Sequence, residues 1–206
     1  WDYCCGWDEN FDRFRPPASP VRPWTGYVQP YTDTPLDREA VGQAVYLNMI
    51  SKAKNYIYIT TPYLVVDVAT NTALCNAAKA GVDVRIITPH IPDKRSVFEV
   101  TKAHYPPLLE AGVKIYEYTP GFIHAKNFVV DGRYATVGTV NLDYRSLFLH
   151  FEDGVWLCEA PCIRDIRADF ERTLTCSEPI TPRRFKHLNI LLQLYRSILR
   201  IFAPLM

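Results

Sequence analysis

The chain has 206 residues, 48% of them hydrophobic and 22% charged, a composition that suits one substantial globular domain with its own core. Its formal charge of +1 gives no global drive toward nucleic acid, so any anion binding must come from local clustering. Six cysteines (Cys4, Cys5, Cys75, Cys158, Cys162 and Cys176) in a chain of this length do not make a small secreted disulfide framework and suit a reducing compartment. Cys158-x3-Cys162 lacks the well-spaced second pair that a zinc site needs.

There is no signal peptide and no apolar run of about eighteen residues, and the first residue is Trp1, so the chain is expected to be a fragment or an excised domain. Residues 14–35 carry Pro16, Pro17, Pro20, Pro23, Pro30 and Pro35 with little periodicity and read as an extended connector. The domain is expected to start at residue 36. Thr34 is placed to cap, and Pro35 to open, a helix reaching about Lys54, with Leu36, Ala40, Val41, Ala44, Leu47 and Ile50 on one apolar stripe. A buried strand over 56–60 follows, then a small-residue helix over 67–80 closed by Gly81. Next come a near-continuous apolar strand over 82–88, a helix over 94–111 ending at Gly112, and a strand over 113–118.

Beyond a hairpin, 147–158 reads as a strand in which Phe151, Val155 and Leu157 face one layer and Glu152, Gly154 and Trp156 the other, and 163–174 as an amphipathic helix. This alternation predicts an α/β fold, a three-layer α/β/α sandwich with a mixed central sheet and the hairpin on its central strands. The last segment, 183–203, has Asn189, Gln193, Arg196, Ser197 and Arg200 at helical spacing opposite a broad leucine-rich face. It is too short to span a bilayer comfortably. With Arg183, Arg184 and Lys186 upstream, it is a basic amphipathic helix that either lies on an anionic membrane or docks on protein.

The stretch 122–141, FIHAKNFVVDGRYATVGTVN, concentrates the chemistry. Asp131-Gly132 accepts the positive dihedrals of a two-residue turn, which predicts a hairpin with Val130 facing Arg133, Lys126 facing Val137, His124 facing Thr139 and Phe122 facing Asn141. Alternation then sends His124, Lys126, Thr139 and Asn141 to one face, while Asp131 stays in the turn. Imidazole, ammonium, hydroxyl and carboxamide on one surface suit a tetrahedral oxyanion such as phosphate: His124 can attack phosphorus or donate a proton, Lys126 offers charge and Asn141 a donor.

The full spacing, His124-x-Lys126, then Asp131, then Gly138-Thr139-x-Asn141, resembles the signature of the phospholipase D superfamily, with Thr139 where serine is commoner. TPY at 61–63, AGVDVRIITP at 80–89, AGVKIYEYTPGFIHAK at 111–126 and VGTVNLDYRSLFLHFE at 137–152 look like the C-terminal half of a bacterial cardiolipin synthase. The resemblance implies a phospholipase D-like catalytic domain over 36–182, preceded by a connector over 14–35 and, over 1–13, by the tail of an absent first half that carries a signature of its own. It implies phosphatidyl transfer between two phosphatidylglycerol molecules at the cytoplasmic side of a bacterial cell membrane, through a phosphohistidine intermediate.

By the same resemblance, the site is completed by the missing half or a second copy of this chain, with no cofactor, no metal and no nucleic acid. A homodimeric phosphodiesterase or nuclease of the superfamily, or a noncatalytic half, are the alternatives. The roles implied are His124 as general acid and then base, Lys126 and Asn141 on the phosphate oxygens, Glu152 paired with the imidazole of His124, and Asp131 in fold support. Thr139 binds phosphate as serine would, Tyr63 and Arg145 can reach a headgroup, and His150 can stand behind Glu152.

Overall fold

The computed structural model describes residues 11–15, 25–182 and 190–203. In chain order these form β1 (Tyr27–Asp33), α1 (Val41–Lys52), β2 (Tyr56–Thr60), β3 (Leu64–Val65), α2 (Val68–Lys79), β4 (Asp83–Pro89), α3 (Arg95–Glu110), β5 (Lys114–Tyr118) and β6 (Asn127–Val130). They continue with β7 (Tyr134–Gly138), β8 (Leu142–Asp143), α4 (Tyr144–Phe148), β9 (Glu152–Cys158), α5 (Ile163–Thr175), β10 (Ser177–Ile180) and α6 (Ile190–Ile201). Most of 1–13 and of the connector before Gly26 lies outside the described residues, as does 183–189 of the expected C-terminal helix; Phe11–Phe14 form a 3-10 turn.

The main sheet has eight strands in the order β1-β9-β7-β6-β2-β4-β5-β10. Strand β2 runs parallel to β4, and β4 to β5, while every other pairing in it is antiparallel. The sheet is therefore mixed, with the hairpin β6–β7 inside it. Helices α1, α2 and α3 cover one face, where Met49, Leu74, Tyr105 and Leu108 bury Ile57, Ile59, Ile86, Ile115 and Phe128. Helix α5 covers the other through Ile163 and Phe170, against Val129, Leu157, Tyr58 and Ile87. Each such side chain contributes about 1.5–3 kcal/mol on leaving water, which makes the three-layer α/β/α sandwich one cooperative core.

Local chemistry explains most boundaries. Asp67 caps α2 through the N–H groups of Ala69 and Thr70, and Gly81 and Gly112 close α2 and α3 with φ of 94° and 99°. Three expectations need correction. The segment assigned to a connector supplies β1, paired along its length with β9, so the domain starts before residue 36. Pro30 is accommodated because β1 is an edge strand.

Pro35 opens no helix. Asp33, Thr34 and Asp37 take the backbone N–H groups of Thr34, Leu36 and Glu39 into turns, and the helix starts at Val41 with Asp33 accepting from the Gly42 N–H at 2.6 Å. The strand expected from 147 starts only at Glu152, because residues 144–148 form α4, capped by the Asp143 carboxylate at the Ser146 N–H, 2.8 Å away.

The hairpin turn forms as expected, with Asp131 at φ 52°, Gly132 at 65° and the Arg133 N–H on the Val130 carbonyl at 3.0 Å. Its register does not. Val130 pairs with Tyr134 and Asn127 with Val137, leaving Arg133 bulged, with its carbonyl accepting from the Glu159 N–H at 2.7 Å. The one-residue slip arises because the neighbouring strand, beyond the hairpin, claims that carbonyl.

Asp131 accepts from the N–H groups of Lys54, Asn55 and Tyr56 at 2.7, 2.9 and 2.8 Å, tying the hairpin to the entry of β2. Asp131→Ala should lower stability by about 2–4 kcal/mol, since three charge-assisted bonds disappear and alanine fits the positive φ poorly. Urea denaturation measures this; an unchanged midpoint would remove Asp131 from the fold's support.

Candidate active site

The strand directions bring the carboxyl ends of β1, β2, β4 and β7 and the amino ends of β6 and β9 to one edge of the sheet. At such an edge chain leaves the sheet in loops that a rigid scaffold positions. His124 and Lys126 lie there, just before β6. The Lys126 ammonium donates to the His124 carbonyl at 2.7 Å and stands 2.9 Å from Nδ1 and 3.2 Å from Nε2 of the same residue. Lys126 is buried and His124 exposed, with Phe122 alongside at 5.6 Å between ring centroids.

Burial holds the His124 imidazole below its ordinary range, and the Lys126 charge adds to that, against an opposing pull from Asp93. Burial also lowers the Lys126 ammonium, opposed by the carboxylates of Glu152 and Asp143. Burial raises Asp143, and neighbouring Glu152 raises it further. The pattern is a buried ammonium acted on by buried acids, with an imidazole of lowered basicity at the surface.

The remaining expected residues make their own contacts along the same edge. Thr139 lies past the end of β7, its N–H on the Asp153 carbonyl at 2.8 Å, and its hydroxyl donates to Glu152 and accepts from the Asp153 N–H at 2.9 Å. Gly138 must be glycine: a Cβ there would lie 2.3 Å from the Asp153 carbonyl oxygen of β9. The pairing of Glu152 with His124 is not made; besides Thr139, its carboxylate faces Nδ1 of His150 at 3.6 Å, because alternation in the segment leading into β9 puts 150 and 152 on the same side.

The Asn141 amide donates to the Ser146 hydroxyl at 2.9 Å and leaves its buried Oδ1 without a partner. With the amide turned over, Ser146 would donate to Oδ1 and the NH2 would take the unpartnered position. Asp131 sits at the far end of β6 from His124, engaged with backbone. Tyr63 lies at the site's edge, its hydroxyl donating to Asp93 at 2.5 Å. Arg145 is exposed on α4 and makes no ion pair among the described residues.

Asp93, Asp143 and Ser146 were not anticipated. For Asp93 the only signal was its place in the loop after an apolar strand; for Asp143, its position two residues after Asn141; for Ser146, its position three residues after Asp143. Together the edge offers a surface imidazole, a buried positive charge beside it and hydroxyl and amide groups further along, which can hold a phosphate oxygen and exchange a proton with an alcohol.

Replacing Lys126 by Met should raise the titration midpoint of His124, since a charge that disfavours the imidazolium is gone and the Asp93 pull remains. Ring-proton NMR across the titration reads this directly. A midpoint unchanged or lowered would show that the two side chains are not coupled as their 2.9 Å approach requires.

Comparison with known proteins gives the family and the fold. The family model described as "Cardiolipin synthase, PLD-like domain" matches residues 46–174. A protein of Streptococcus mutans described as uncharacterized is 49% identical over 88% of this chain and 39% of its own length. A cardiolipin synthase of Geobacillus sp. (strain WCH70) is 40% identical over 88% of this chain and 36% of its own.

The chain thus spans well under half the length of these relatives. Among solved structures, Nuc of Salmonella typhimurium, a phospholipase D family member, superposes with a TM-score of 0.65 at 19% identity over 76% of this chain and 99% of its own. Phosphatidylserine synthase of Haemophilus influenzae superposes at 0.66 and 16% identity over 86% of this chain and 45% of its own. A family model that matches residues 46–174 leads to one conclusion: the chain belongs to the cardiolipin synthase family of phospholipase D-like domains.

Proposed function

We propose that this chain supplies one half-site of a bacterial cardiolipin synthase that moves a phosphatidyl group between two phosphatidylglycerol molecules. The observation that carries the reading is the exposed His124 with the buried Lys126 ammonium 2.9 Å from its ring, inside a segment matched by the family model. A nucleophilic histidine of the other half, or of a second copy, attacks phosphorus as the P–O bond to the leaving glycerol breaks. His124 gives that oxygen its proton. The hydroxyl of a second phosphatidylglycerol then attacks the phosphohistidine and returns its proton to His124, so that the P–N bond breaks and cardiolipin leaves.

Lys126 balances charge on the non-bridging oxygens, and Asn141 in its turned orientation donates to them. In this reading the lowered basicity of His124 belongs to the empty site. The negative phosphodiester would raise it on arrival and load the acid only when substrate is present. Glu152 acts through Thr139 and His150 rather than on His124 directly, holding the end of β7 against β9. Tyr63 and Arg145, at the rim, would meet the glycerol headgroup. The domain is placed at the cytoplasmic side of the cell membrane, with the anionic lipid as its substrate surface.

In the protein extended to the length of its curated relatives, His124→Ala should reduce phosphatidyl transfer from phosphatidylglycerol by about 10²–10⁴-fold, the usual weight of a general acid–base group. An unchanged rate would reject the role. The purified, monomeric 206-residue chain should show no useful turnover, because one histidine cannot serve both sides of an in-line displacement. Turnover equal to that of the longer protein would end the half-site reading, and turnover only on self-association would replace the missing half with a second copy.

A further inference from the structure

Helix α6 docks on the domain with Arg196 of its polar side turned inward: Arg196 is buried and its Nε donates to Glu99 of α3 at 2.8 Å. Leu199 and Ala203 pack beside Val65, Val100 and Tyr144. The buried ion pair pins that side of the helix inward, and the apolar stripe is left outside: Leu191 is 69%, Leu194 58% and Ile201 74% exposed, with Tyr195, Ile198 and Phe202 also open. An apolar stripe of this length on a single helix marks an interaction surface.

Its charge identifies the occupant. From residue 179 to the C-terminus the chain has Arg183, Arg184, Lys186, Arg196 and Arg200 and no aspartate or glutamate. At 12 residues the helix is about 18 Å long, short of the ~30 Å hydrocarbon thickness. Arg196 is neutralised by Glu99, but apolar residues outward, with Arg183, Arg184, Lys186 and Arg200 along a segment that has no acid of its own, fit an interfacial helix on anionic lipid.

We infer that the outward face of α6 seats the domain on an anionic lipid surface, with the active-site edge beside it. Through Tyr144 the helix adjoins α4, whose outer end exposes Phe148, Leu149 and Phe151 next to His150 and Glu152. The same plane of contact would bring headgroups to the His124 edge. This attachment does not depend on the chemistry proposed above.

Co-sedimentation of the purified 206-residue chain with vesicles tests it. One set is phosphatidylcholine alone and the other contains about one third phosphatidylserine, an anionic lipid that is not the proposed substrate. Binding should require phosphatidylserine. Leu194→Gln/Ile198→Gln should weaken it at least about tenfold, from the apolar area withdrawn, with the urea midpoint within error of the unsubstituted chain because both residues are exposed.

His124→Ala should bind as the unsubstituted chain does, so that a failure of the catalytic reading leaves this result standing. Equal binding by the double variant, equal binding to neutral vesicles, or concentration-dependent dimerisation through Leu194 and Ile198 without vesicle binding would each overturn the proposal.

Discussion

A lysine ammonium taken out of water must be balanced, and much of the active-site edge follows from balancing Lys126. Its charge is lodged behind His124, with the carboxylates of Glu152 and Asp143 acting on it. Those acids are committed to structure: Glu152 accepts from Thr139 at the join of β7 and β9, and Asp143 caps α4. Removing an acid would leave a buried cation with less compensation, and removing the cation would leave buried acids, each costly in a medium of low dielectric. The electrostatics of the site and the closure of the sheet edge are therefore one arrangement.

The same constraint sets what His124 can do. Lys126 donates to the ring and the backbone carbonyl of one residue, which favours the neutral imidazole and fixes its position. A phosphate anion reverses the balance of charge. Under the proposed function, the site would respond to an anionic substrate without a change in fold, with the surface imidazole meeting it.

Two distortions of regular structure shape the edge. The bulge at Arg133 slips the hairpin by one residue, and beyond its end Thr139 bonds to Glu152 and Asp153 of β9. The close approach of β9 at Gly138 excludes any side chain there and lets Thr139 bridge the two strands. In each case the neighbouring strand, and not the hairpin itself, decides the geometry.

The layered α/β architecture, the β2–α2–β4–α3–β5 alternation and the Asp131-Gly132 turn were legible from sequence alone, because apolar periodicity and glycine at positive φ are local properties. Only the tertiary structure decided the register of the hairpin, the partner of Glu152, the membership of 27–33 in the sheet and the inward turn of Arg196. Each depends on a contact between segments far apart in the chain: Arg133 with Glu159, Thr139 with Glu152, β1 with β9 and Arg196 with Glu99. A one-residue slip or a helix rotation leaves the local pattern intact. What selects among those alternatives is which distant donor, acceptor or opposite charge is satisfied on burial.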